Sequence, residues 1–121
     1  MPAPSPLAIA TSSVQRLVKE EAYYHKDLAS QEVRVQKLEK DISEGGADLD
    51  ENAEYMLKQE KKALQETKSV FGPLRSRIAD AVAKLEEQIA LSESEDAPAE
   101  QLTKAKEALK QGQGAVQTTS S

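Results

Sequence analysis

Side chains of one face recur at alternating steps of three and four residues along the first part of the chain: Val14, Leu17, Glu21, Tyr24, Leu28, Gln31, Val35, Leu38 and Ile42. A repeat averaging 3.5 residues keeps one face of an α-helix turned continuously toward a partner helix, so this stripe predicts a coiled-coil-type seam. The partner helix comes either from the same chain or from another. From Val14 to Ser43 neither Gly nor Pro interrupts the pattern, which predicts a helix about 45 Å long at roughly 1.5 Å per residue. Ser12, followed three residues later by Gln15, has the spacing of a capping box, placing the start of helix 1 near residue 12. Gly45-Gly46 is the expected stop, because glycine accepts the left-handed backbone that closes a helix and reverses the chain.

The pattern resumes in the opposite direction. Ala53, Leu57, Leu64 and Phe71 fit the same repeat, with Glu60 and Thr67 as its polar members. Asp48, with Glu51 in box spacing, and Asp50 are the expected caps, and acidic residues in the first turn suit the helix dipole. Pro73 interrupts, yet Leu74, Ile78, Val82, Leu85 and Ile89 carry the apolar face onward with no loop composition between. One kinked helix over residues 49–91 is therefore expected, Pro removing a backbone bond while packing on both sides holds the axis. Ser92 to Pro98 reads as a polar turn, and Leu102, Ala105 and Leu109 give a short helix 3 an apolar edge over residues 97–111. Pro2, Pro4 and Pro6 predict a flexible leader over residues 1–11, and Gly112, Gly114 and the Thr-Thr-Ser-Ser end predict a disordered tail over 112–121. The expected fold is all-α: an antiparallel three-helix bundle, up-down-up, spanning residues 12–111.

Composition supports a thin aliphatic core. The 121 residues include one Phe, three Tyr and no Trp, with 31% charged side chains, so seams rather than a thick interior must hold the fold. No cysteine is present, which excludes disulfides and thiolate metal sites and makes a reducing cytosol the expected setting. The N-terminus has no basic residue ahead of Leu7-Ala8-Ile9-Ala10, unlike a signal peptide or a mitochondrial presequence. No apolar run approaches the roughly 20 residues that cross a bilayer. A net charge of −5 argues against nucleic acid, whose phosphates require a basic patch. Between residues 14 and 44 six basic and seven acidic side chains look interspersed, as on a solvated helix face.

Little here could do covalent chemistry. His25 is the single histidine and has no Cys, second His or Ser-Asp pair at useful spacing, so it reads as a surface side chain. Glu20 and Glu21 are adjacent in sequence and point in different directions around a helix, so they cannot work as a catalytic pair. Neither a GxxxxGK nor a GxGxxG string occurs, and no nucleotide or other cofactor is expected. Val18, Tyr23, Val33, Tyr55 and Val70 fall outside the seam register and are candidates for exposed partner contacts.

Arg16-Leu17-Val18-Lys19-Glu20, then Tyr24, Lys26 and Asp27, then Gln31-Glu32, resembles the first helix of the tubulin-specific chaperone A family, also called tubulin-folding cofactor A. Tyr55-Met56-Leu57-Lys58-Gln59-Glu60 and Leu64-Gln65-Glu66-Thr67-Lys68, followed by Pro73, is similar to its second helix. The likeness covers residues 12–91, while Gly72, the Gly45-Gly46 turn and the alanine-rich helix 3 depart from it. It implies a cytoplasmic, cytoskeleton-associated three-helix chaperone without a nucleotide of its own. Such a protein captures β-tubulin released by the chaperonin and holds it until other cofactors assemble the heterodimer. On that reading the partner-binding residues are Arg16, Lys19, Tyr23 and Lys26 on helix 1 and Tyr55, Lys58, Glu66 and Lys68 on helix 2. Tubulin is acidic as a class and so is this chain, so recognition is expected to rest on local basic side chains and apolar contacts rather than long-range steering. The alternative is a structural coiled-coil adaptor or homodimerisation module that pairs the same stripe between chains; both monomer and homodimer fit the pattern. Leu38→Asp is expected to unfold the bundle by placing a charge in the seam.

Overall fold

A computed structural model of the chain describes residues 3–45 and 51–118. Three helices make up the fold: α1 (Pro6–Glu44), α2 (Ala53–Ser94) and α3 (Ala99–Thr118), with no strand among the described residues. The protein is an all-α three-helix bundle. Its contacts divide it into a three-helix unit, comprising the chain up to Ala22 and from Gly72 onward, and a two-helix unit, Tyr23–Phe71.

The N-terminal reading is corrected. Residues 6–11 are not a flexible leader: α1 starts at Pro6, and Ser5 is its cap, accepting a bond from the Ala8 N–H at 3.1 Å. Proline forbids a helix interior but suits its first position, where the missing N–H would have no partner and φ is already helical. Starting there extends the seam by two more steps, since Leu7 and Thr11 are as buried as Val14. The Thr11 hydroxyl donates to the Leu7 carbonyl at 2.8 Å, which makes its burial tolerable. Ser12 and Gln15, expected as a capping box, lie inside the helix.

In the three-helix unit the core consists of Leu7, Val14 and Leu17 from α1, Leu74, Ile78, Val82, Leu85 and Ile89 from α2, and Ala105, Ala108 and Ala115 from α3. Every α2 seam position expected beyond Pro73 is buried. α2 is one helix across Pro73, because the same face is anchored on both sides of the lost bond. It ends in a Schellman closure: the Ala97 N–H bonds the Ser92 carbonyl at 3.0 Å while Asp96 takes the left-handed φ of 55°.

The C-terminal reading is corrected too. α3 does not stop at residue 111 but continues to Thr118 through both glycines. Its buried face is Ala105, Ala108, Gly112 and Ala115, a repeat of small residues. Gly112 is needed for close approach: a Cβ there would lie 2.6 Å from Val82 Cγ2 and 2.8 Å from Val14 Cγ1. The glycine is thus where α3 meets α1 and α2 together. Leu102 and Leu109, expected to form the apolar edge, are half-buried beside this row.

In the two-helix unit α1 and α2 run antiparallel, with Tyr24 edge-on to Phe71 at 6.4 Å and Arg34 bonded to Glu60 at 3.4 Å. The seam register holds, since Leu28, Gln31, Leu38, Ile42, Leu57, Glu60, Leu64 and Thr67 all face partly inward. Among its described residues only Val35 and Ala53 are buried. Two helices cannot enclose a seam from all sides, and here no third one helps. Gln31 Oε1 is buried there without a hydrogen-bond partner among the described residues, a cost of about 1–3 kcal/mol. His25 is not a free surface side chain: its ring stacks on Phe71 at 4.5 Å with a 30° tilt. α2 begins at Ala53, four residues later than expected, and the Asn52 carbonyl accepts its first backbone bond, from Met56, at 2.8 Å. Gly46, Asp48 and Asp50, expected to make the turn and the caps, lie outside the described residues.

Candidate partner-binding surface

The outward faces of α1 and α2 follow from the seam. Residues placed half a turn from it must face away from the partner helix, and at about 100° per residue this selects a second row stepping by three and four. On α1 in the two-helix unit that row is Tyr23, Lys26, Ser30, Val33, Lys37 and Lys40, and all six are exposed. On α2 it includes Tyr55, Lys58, Lys62, Glu66 and Ser69, again all exposed.

All eight side chains expected to bind a partner are therefore accessible. Arg16 and Lys19 lie in the three-helix unit, where they border a shallow surface hollow with Gln15, Val18, Ala22 and Gln111. Tyr23 and Lys26 share the outer row of α1, and Tyr55, Lys58 and Glu66 that of α2. Lys68 stands apart on the flank of the α2 seam. Of the five apolar residues read as outside the register, Tyr23, Val33 and Tyr55 are more than 60% exposed, while Val18 and Val70 are partly covered. Met56, 42% exposed, joins them on α2. Among the described residues, four of the six exposed large hydrophobics thus belong to the two-helix unit, where the core is thinnest.

Lys37 and Lys40 extend the outer row of α1 beyond the residues expected from sequence. The signal was present, since continuing the three-four step from Tyr23 and Lys26 leads directly to them. The charges of this segment are not interspersed in space. Lys26, Lys37 and Lys40 line the outer face, whereas Asp27, Glu32 and Glu39 fall toward the seam side. Ion pairs across helices join Arg34 with Glu60, Arg77 with Glu20 and Lys106 with Glu93 at 3.4 to 3.8 Å; these are largely exposed, so each contributes little stability.

Among the described residues no group of three or more His, Cys, Asp or Glu could hold a metal, and no helix is long and apolar enough to cross a membrane. A helical scaffold that presents basic, aromatic and aliphatic side chains outward has the anatomy of a protein-binding module. Its family follows from sequence: the chain belongs to the tubulin binding cofactor A family, whose model it matches over residues 2–109. It is 35% identical over 85 residues to the tubulin-specific chaperone A of Saccharomyces cerevisiae, a stretch covering 70% of this chain and 73% of the yeast protein. No solved structure matches the chain. Membership in a cofactor family disfavours the adaptor alternative.

Proposed function

We propose that this protein is a tubulin-folding cofactor that binds β-tubulin after its release from the chaperonin and holds it for heterodimer assembly. The observation that carries this reading is the family match across nearly the whole chain, residues 2–109. The surface supports it physically. The three helices are ordered before any partner arrives, so binding free energy is not spent on folding them. Tyr23 with Lys26 on α1, and Tyr55 with Lys58 and Glu66 on α2, each set an exposed tyrosine, a residue type enriched where binding energy concentrates, beside charged side chains, on two faces that point away from one another. Arg16, Lys19 and Lys68 complete the proposed contact set. The cofactor acts by covering tubulin surface, with no bond made or broken.

Titration against isolated β-tubulin and isolated α-tubulin, read by size exclusion, tests the proposal. The expected result is a one-to-one complex with β-tubulin alone. Binding to α-tubulin alone, or to neither, would refute it.

A further inference from the structure

The net charge of this chain is −5, yet one of its helix faces carries only positive charge over four turns. On α1 the exposed outer row runs Tyr23, Lys26, Ser30, Val33, Lys37, Lys40. Asp27, Glu32 and Glu39 are excluded from it by the helical period. Glu44, the next step of the row, returns acid to that face and ends the basic run at Lys40, while Asp41 lies on the same flank as Asp27. Lys26, Lys37 and Lys40 are tied to no carboxylate among the described residues, whereas Arg34, on the same flank as Asp27, is held by Glu60. A solvated face with no task has no reason to sort its charges in this way. Lys26 has no acidic residue three or four positions away, and Lys37 and Lys40 have only Asp41 and Glu44 at i+4, in the less favourable basic-before-acidic order. Two exposed apolar side chains, Tyr23 and Val33, 63% and 64% exposed, alternate with the ammonium groups.

We propose that this row is a docking track for a carboxylate-rich polypeptide segment of the tubulin partner, laid along α1 from Tyr23 to Lys40. The track is about 25 Å long at 1.5 Å per residue, enough for a segment of about seven or eight extended residues at 3.3 Å each. Lys26, Lys37 and Lys40 meet carboxylates, and Tyr23 and Val33 take the aliphatic parts between them. Because the chain as a whole repels acidic partners, the row supplies local attraction and so fixes where and in which register such a segment binds. The identity of the partner rests on the reading above; the chemistry of the track does not.

The test compares the full-length chain with the triple variant Lys26→Glu, Lys37→Glu, Lys40→Glu, circular dichroism confirming equal helicity. Binding to tubulin is expected to fall at least tenfold in the variant, and the wild-type affinity to fall with added salt more steeply than that of the variant. Equal affinity and equal salt dependence would overturn the track while leaving the chaperone reading intact. Should the wild-type chain bind no tubulin, a labelled glutamate-rich peptide decides: capture by the wild type and not by the variant supports the track, and capture by neither or by both overturns it. A change in the variant's own oligomeric state, with tubulin binding preserved, would assign the row to a second copy of this chain and overturn the proposal.

Discussion

Ile78→Asp is expected to abolish cooperative helical melting near room temperature. Ile78 is 0% exposed in the three-helix unit. Losing its aliphatic contacts alone costs about 2–5 kcal/mol. An aspartate in its place can neither reach water nor find a cation, which adds several kcal/mol more. A bundle of this size has roughly 5–10 kcal/mol of total stability, so the sum removes most or all of it. Leu38→Asp, in the same seam register but half-buried between only two helices, is expected to cost about 1–2 kcal/mol, because its carboxylate can turn into solvent. The expectation from sequence that Leu38→Asp would unfold the bundle is thereby revised. Thermal denaturation followed by far-UV circular dichroism separates the two. Similar melting of both variants would mean that burial is not divided between the units as described.

Gly112→Leu is expected to destabilise the bundle by about 3 kcal/mol through overpacking. The new side chain must enter space already held by Val82 and Val14, whose γ-carbons lie 2.6 and 2.8 Å from the position of its Cβ. Both neighbours are β-branched residues in helices, with one strongly preferred rotamer, so neither can turn aside at low cost. Relief requires α3 to move away. Gly114 supplies the control. It faces open space, with nothing within 4 Å of its would-be Cβ, and Gly114→Ala should raise stability by about 0.8–1 kcal/mol through helix propensity alone. Opposite signs in chemical denaturation are the predicted result. A stabilising effect of both substitutions would show that α3 does not dock at Gly112.

The same two glycines illustrate what sequence could and could not convey. The seams of α1 and α2 were legible because long aliphatic side chains at three-four spacing leave few alternatives: each position from Val14 to Ile42, and from Ala53 to Ile89, faces inward at least in part. α3 was only half legible. Its contact face is written in Ala and Gly, residues that look like weak core or a helix stop, and their role emerges only when two other helices come close enough to exclude a methyl group. Pro6 was misread for a related reason, since proline's effect reverses between the interior of a helix and its first turn. His25 reads as a surface side chain from sequence because Phe71, its stacking partner, is distant along the chain. The outer faces were legible in outline, and Arg16, Lys19, Tyr23 and Lys26 already step along one side of a helix. The sorting of basic from acidic side chains escaped a linear reading, because neighbours such as Lys26 and Asp27 are about 100° apart around the axis.

The thin seam of the two-helix unit gives the binding proposal a physical consequence. Among its described residues Val35 and Ala53 are the only buried apolar ones, while Tyr23, Val33, Tyr55 and Met56 are open to water. Regions with few buried contacts open locally at low free energy, and their backbone amides exchange faster than those of a well-packed core. A partner that covers such a region raises the cost of opening. Amide hydrogen exchange of the full chain, alone and with β-tubulin, therefore tests the central claim most directly. The account predicts marked slowing at residues 23–44 and 53–71 on complex formation, with little change in the already protected core around Ile78 and Leu85. Slowing confined to the three-helix unit, or none in a demonstrated complex, would contradict it.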